Sequence, residues 1–231
     1  MGRSRLEGAM ILPLYSGAFL TETESRVNRF AALAAAAVML SAACSKAEPM
    51  STAEALKDRP IGSPNAPVTM VEYSSLGCPH CADFHTRTLP KIMKNYVDTG
   101  KVKLIIRDFP LNGPSFAAAM MARCAKPERR EQFIEVLFAN QDSWEGAEDP
   151  KAALARIGKL GGMSQAEFDR CMADQALFKG IQKLQLEAQQ KYDVNATPTF
   201  IIMKSQNSDG EKIEGSQPYE VFEKAFAKAA Q

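Results

Sequence analysis

Hydrophobic positions along the chain change period twice. Val68 to Tyr73 (VTMVEY) is short, β-branched and almost continuously apolar, the pattern of a largely buried strand. Ser74-Ser75-Leu76-Gly77 reads as a turn. Phe84, Leu89, Ile92, Met93 and Tyr96 then mark the inner side of a helix, which Pro90 should kink or interrupt. Val102 to Phe109 (VKLIIRDF) is a second strand, so this region predicts a βαβ crossover. From Ser115 to about Tyr192 strand formers thin out. Four or five short helices are predicted there, over roughly 115–126, 128–141, 149–159, 164–173 and 175–191. Asp149-Pro150 and Ser164-x-x-Glu167 mark two of the starts, and Gly161-Gly162 separates two of the helices. Sheet signals return at Thr199–Met203 and Glu211–Glu214, around a hairpin turn at Asn207–Gly210. A helix from Pro218 to Ala230 closes the chain, with proline in its first turn. The order is βαβ, a helical block, ββα. It predicts an α/β domain from 67–114 and 193–231, interrupted by an all-helical subdomain at 115–192.

The first residues read differently. Phe30 to Ala43 (FAALAAAAVMLSAA) is small and apolar, follows Arg26 and Arg29, and is too short for a comfortable membrane span. That layout predicts a secretory signal over 1–47. Two processing readings stand side by side. A peptidase could cut after Ala47, or Leu40-Ser41-Ala42-Ala43-Cys44 could serve as an imperfect lipoprotein box, with Cys44 lipidated and anchoring the protein to a membrane. Glu7, Glu22 and Glu24 ahead of the apolar run are unusual in a signal, and place the expected translation start at Val27. Residues 48–66, rich in Pro, Ser and Asp, read as a linker or loosely attached arm.

Composition narrows the picture only a little. The chain has 231 residues, 45% hydrophobic and 24% charged, which excludes collagen-like, disordered and coiled-coil classes. Of its 28 basic and 27 acidic residues, five and three fall within 1–47, so the remainder carries a net charge of −1. Such a balance gives no reason to expect nucleic acid as a partner.

The chemistry is concentrated at Cys78-Pro79-His80-Cys81. A C-x-x-C that follows a strand and opens a helix places its first cysteine where unpaired N–H groups and the helix dipole stabilise an anion. The Cys78 thiol should therefore ionise early, and the thiolate is the reactive form. His80 can add a hydrogen bond or positive charge, and Pro79 suits the first helical turn. Stabilising the thiolate stabilises the reduced pair and makes the disulfide a stronger oxidant. Haem attachment fails because Ala82, not histidine, follows Cys81. A zinc site of spacing C-x2-C-x3-H through His85 lacks a fourth ligand. His85 itself reads as a solvent-facing helix residue.

The run VTMVEYSSLGCPHC, the helical insertion and Thr197-Pro198-Thr199-Phe200 before a strand together resemble the DsbA-like branch of the thioredoxin superfamily, over about residues 65–230. The resemblance implies a thioredoxin fold with an inserted helical subdomain. It implies an exposed nucleophile at Cys78 and a buried partner at Cys81. Pro198 would be a cis-proline facing the disulfide, with the backbone near Thr197 pairing an extended substrate. Glu72, six residues before Cys78, would be a buried acid that assists proton transfer at Cys81; the bland alternative is a surface glutamate at a strand edge. The implied activity is that of a periplasmic disulfide donor. It would act on reduced exported proteins or peptides without a cofactor and be reoxidised by a membrane quinone-linked partner. A disulfide isomerase or reductase serving an exported metalloprotein or cytochrome is the alternative, favoured slightly by Thr197. The roughly 20 residues between signal and first strand leave no room for the dimerisation domain of isomerase relatives, so a monomer is expected.

Cys124 and Cys171 fall in the helical block. In an oxidising compartment a structural disulfide is the leading reading; two buried thiols or a second redox pair are the others. Met120 and Met121 read as packing or peptide-groove residues, Trp144 as an anchor for a helix end, and Arg129, Arg130 and Glu131 as a solvated face.

Overall fold

The structure, a computed structural model, describes residues 50–204 and 209–231. The expected signal at 1–47, with Val27 and Cys44, lies outside the described residues, as does part of the turn at 207–210.

Four strands form one sheet in the order β2-β1-β3-β4: β1 (Val68–Ser74), β2 (Val102–Asp108), β3 (Thr199–Met203) and β4 (Glu211–Glu214). β1 runs parallel to β2 and antiparallel to β3, and β3 runs antiparallel to β4. All seven residues of β1 are buried, because helices cover both faces of the sheet. That is why its sequence is a continuous apolar run and not an alternating one. Val68 and Met70 pack with Leu104, Ile106, Phe200 and Ile202 on one side. Val71 and Tyr73 pack with Ile105, Ile201 and Met203 on the other. The period of two therefore puts Glu72 on the face of Met70, toward the helix that follows Cys78.

That helix begins with α2 (Pro79–Asp83) and passes through a π-helical turn (Phe84–Thr88) into α3 (Leu89–Ile92) and a second π turn (Met93–Val97). Pro90 sits in the first turn of α3, directly after the first π turn. A proline lacks the N–H donor and crowds the carbonyl four residues back, so a widened turn accommodates it without ending the helix. Phe84 anchors the helix to the sheet, with ring centroids 4.5 Å from Phe200 and 5.4 Å from Phe222. Phe222 belongs to the closing helix, α10 (Tyr219–Ala229), whose N-cap is Pro218; the proline lies one position ahead of the helix and not within its first turn.

Between β2 and β3 lie α4 (Gly113–Cys124), α5 (Arg130–Ala139), α6 (Gln141–Trp144), α7 (Pro150–Leu160), α8 (Gln165–Ala173) and α9 (Gln175–Tyr192). Local signals explain their ends. Asn112 caps α4 by accepting from the Ser115 N–H at 2.9 Å, and Asp149 caps α7 by accepting from the Ala152 N–H at 2.9 Å. Ser164 and Glu167 form a reciprocal capping box on α8. Gly162, at φ +82°, supplies the left-handed residue after α7. Trp144 is fully buried, and its indole N–H donates to the Leu137 carbonyl at 2.9 Å. Met120 and Met121 are buried in the packing of α4.

Two expectations about surface segments are corrected. Residues 50–66 are docked, not loose: α1 (Thr52–Ala55) packs near α9, Ile61 bridges Leu104 of β2, and Asp58 pairs with Arg107. The Ala55 carbonyl also accepts from Arg123 Nη1 at 2.9 Å. Arg130 is buried and not on a solvated face, because Asp108 at the end of β2 holds both Arg123 and Arg130 as partners. A lone buried guanidinium would be costly, so the ion cluster makes this burial possible.

Candidate active site

β1 ends under the site, and the chain reverses through Ser75–Gly77 so that the Cys78 N–H donates to the Ser75 carbonyl at 3.0 Å. Gly77 lets Ser115 and Glu145 approach closely: a Cβ there would force both side chains to shift. Cys78 is the N-cap of α2, with extended backbone, and Pro79 occupies the first helical position. Cys81 follows one turn on, and its N–H donates to the Cys78 carbonyl at 3.1 Å.

The two thiols sit in opposite environments. The Cys78 thiol is pulled down to about 5, chiefly because the Cys81 thiol can donate to its sulfur, with further donation from the backbone N–H groups of Cys81 and His80; burial opposes the shift. The Cys81 thiol is pushed up strongly by burial, then by its bond to Cys78 and the negative charge of Glu72. Cys81 is completely buried, and Cys78 keeps only 7% of its surface. The expectation of an exposed nucleophile is thus corrected: Cys78 is the more accessible sulfur, but the Thr197 loop covers it. The Thr197 carbonyl lies 3.3 Å from the Cys78 sulfur and accepts from the thiol. The Thr197–Pro198 peptide is cis. Among the described residues Thr197 Oγ1 is buried without a partner, and the Thr197 N–H has none in the backbone.

Pro79 and His80 are exposed. The imidazole of His80 makes no hydrogen bond among the described residues, so here its contribution to the Cys78 thiolate comes through its backbone N–H. Glu72 is fully buried, which removes the reading as a surface glutamate. It is bound by an unexpected partner. His85 turns inward, with Nε2 at 3.0 and 3.1 Å from the two carboxylate oxygens, and its side chain is only 5% exposed. The solvent-facing assignment of His85 is therefore overturned. The spacing carried a usable signal, since residue 85 lies four after Cys81 on the same helical face.

Gln141 has no such signal. It reaches from α6 and donates through Nε2 to the Leu76 carbonyl at 2.6 Å and the Cys78 carbonyl at 3.1 Å. The helical insertion thereby clamps the turn that presents Cys78. Gln141→Leu leaves both carbonyls without this donor, and is expected to lower stability by about 1–2 kcal/mol in urea unfolding. It should also move the pH midpoint of Cys78 alkylation upward, as the sulfur loosens from its donors.

Cys124 at the end of α4 and Cys171 in α8 are joined in a disulfide, with their Cα atoms 6.1 Å apart. It lies in a cluster with Met120, Leu177 and Ile181, in the helical insertion.

The family model described as thioredoxin matches residues 54–228. A Rickettsia typhi protein named as a protein-disulfide oxidoreductase is 34% identical over 116 residues, which are 50% of this chain and 43% of that protein. Disulfide bond formation protein D of Bacillus subtilis is 28% identical over 152 residues, 64% of this chain and 68% of its own length. The crystal structure of Wolbachia pipientis alpha-DsbA1 superposes with a TM-score of 0.69 at 34% identity, covering 75% of this chain and 91% of that one. The chain thus spans less than half the length of the Rickettsia relative.

Proposed function

The chain belongs to the DsbA-like branch of the thioredoxin family, and from that premise we propose that it is an exported thiol–disulfide oxidoreductase that donates a disulfide to reduced secreted proteins. One observation carries the reading: two cysteines one helical turn apart, the first strongly acidified and the second held as a thiol. In the oxidised form a substrate thiolate attacks the Cys78 sulfur. The Cys78–Cys81 bond breaks, and Cys81 leaves with the electron pair and takes up a proton. A second substrate thiolate then attacks the substrate sulfur of the mixed disulfide and expels Cys78 as a stable thiolate. The substrate loses two electrons and the Cys78–Cys81 pair gains them, so the sulfurs need no cofactor. A low leaving-group pKa favours this direction.

The substrate would lie extended across Thr197 and Pro198, where the Thr197 N–H is free to pair with it. The exposed Pro79 and His80 form the rim it meets. The acting location would be the periplasm, with the signal removed after Ala47 or Cys44 retained as a lipid anchor. The working form would be a monomer, and a membrane quinone-linked protein would withdraw the electrons.

Equilibration of the Cys78–Cys81 pair with glutathione tests the direction. The reduced form should dominate even when oxidised glutathione is abundant. Oxidation of a reduced dithiol peptide should outpace refolding of scrambled ribonuclease. A thioredoxin-like potential, or efficient unscrambling, would instead support the reductase or isomerase serving an exported metalloprotein or cytochrome.

A further inference from the structure

Proton supply to Cys81 poses a problem that Glu72 does not solve alone. When a substrate thiolate breaks the disulfide, Cys81 becomes a thiolate in a site with no solvent contact. Cys78 cannot share a proton with it then, because its sulfur is tied up in the mixed disulfide. Glu72 is equally sealed, at 0% exposure, so it can pass on a proton but cannot collect one from water. Among the described residues its carboxylate has one hydrogen-bond partner, His85 Nε2, which meets both oxygens.

His85 is placed to connect the two sides. Its ring packs against Phe138 of α5, with centroids 4.2 Å apart and the planes tilted by 35°, and meets Phe84 edge-on at 5.7 Å. These contacts hold the ring plane while Nε2 points inward. The residue also lines an open cleft of about 440 Å³ between the π turn and α5. Nδ1 makes no hydrogen bond among the described residues and is not among the sealed, unpartnered atoms. The charged groups around it are Glu72 from β1 and, lining the same cleft, Glu135 from α5, Lys94 and Asp98. Arg87 on its own turn is paired with Asp83 at 2.8 Å.

We propose that His85 completes a buried relay, cleft water–His85–Glu72–Cys81, which moves the proton of the buried cysteine during each exchange. Water protonates Nδ1, the Nε2 proton passes to Glu72, and the carboxyl proton passes to the Cys81 sulfur. Reoxidation reverses the path: Cys81 surrenders its proton to Glu72, attacks the Cys78 sulfur of a mixed disulfide, and expels the partner's thiolate. One proton moves each way, the ring returns to its starting tautomer, and the electrons stay with the sulfurs. His85 acts through Glu72 and touches neither sulfur. The proposal rests on the oxidoreductase reading above.

The test is a single turnover. Cys78 of the reduced wild-type chain is capped as its mixed disulfide by 5,5′-dithiobis(2-nitrobenzoate) at low pH, and after the first thiolate is washed away a pH jump releases the second, coloured thiolate by Cys81 attack. The wild-type rate should show an inflection that coincides with the ring titration of His85, followed by NMR and distinguished from His80, the other of the two histidines. His85→Gln, which keeps a hydrogen-bonding side chain, should slow release by about tenfold to a hundredfold and erase that inflection. Imidazole in the buffer should restore release in His85→Ala. A wild-type inflection that departs from the His85 titration overturns the relay, and this measurement needs no variant to fold. So does a His85→Gln profile that matches wild type. Absence of release from the wild-type chain at every pH overturns the oxidoreductase reading, and the relay with it.

Discussion

Alkylation of the reduced protein with iodoacetamide is expected to reach half its maximal rate at Cys78 near pH 5, with Cys81 unlabelled throughout. An ordinary thiol would respond near pH 8.5. Thiolate content at Cys78 in mildly acidic solution should therefore exceed that of a free cysteine by on the order of a thousandfold. Mass spectrometry of tryptic peptides after short pulses reads both sites separately. The same shift makes redox state a stability variable. The folded value lies below the unfolded one, so the stabilisation of the reduced form is complete above about pH 8.5 and disappears as pH falls through about 5. At pH 7 it amounts to about 2 kcal/mol, after allowance for the sulfur's residual solvent contact. Reduced protein should then melt about 5 °C above oxidised protein at pH 7, with the gap closing toward pH 5. Equal melting of the two forms at pH 7 would contradict the acidified Cys78.

Removing the second disulfide has the largest expected effect on stability. Cys124 and Cys171 are separated by 47 positions, and closing a loop of that size restrains the unfolded chain by about 4 kcal/mol. Cys124→Ala with Cys171→Ala should lower the urea-derived stability by about that amount and the melting temperature by roughly 10 °C. The alkylation midpoint of Cys78 should stay near 5, because the bond ties α4 to α8 and none of the groups that acidify Cys78 belongs to it. A shifted midpoint would show that the insertion transmits strain to the active-site turn. Gln141 makes that comparison informative, since it is the one side chain of the insertion found clamped onto the Cys78 carbonyl.

Much of this architecture could be read along the chain because it depends on local rules. Apolar runs such as Val68–Tyr73 and Thr199–Met203 are strands on composition and length alone, and the observed elements begin and end within a few residues of those patterns. Caps at Asp149 and Ser164 are short-range hydrogen bonds, so residue type and spacing suffice. The same holds for the nucleophile: a cysteine at the start of a helix after a strand meets N–H donors wherever that unit folds.

Other features had no local trace. The segment at 50–66 looked loose because the partners of its Asp58 carboxylate and Ala55 carbonyl, Arg107 and Arg123, lie far along the chain. Arg130 looked solvated because nothing nearby in sequence announces Asp108. His85 looked like a surface residue because its burial depends on Phe138, from a helix some fifty positions later.

The amino-acid order by itself therefore determined the elements, the redox pair and the early ionisation of Cys78, since each rests on contacts within a turn or two. Only the packed molecule decided which sulfur is starved of water, which carboxylate is hidden beneath it, and which ring links that carboxylate to a cleft. Burial is a property of everything that surrounds a side chain, and those surroundings come from strands and helices brought together across the whole fold.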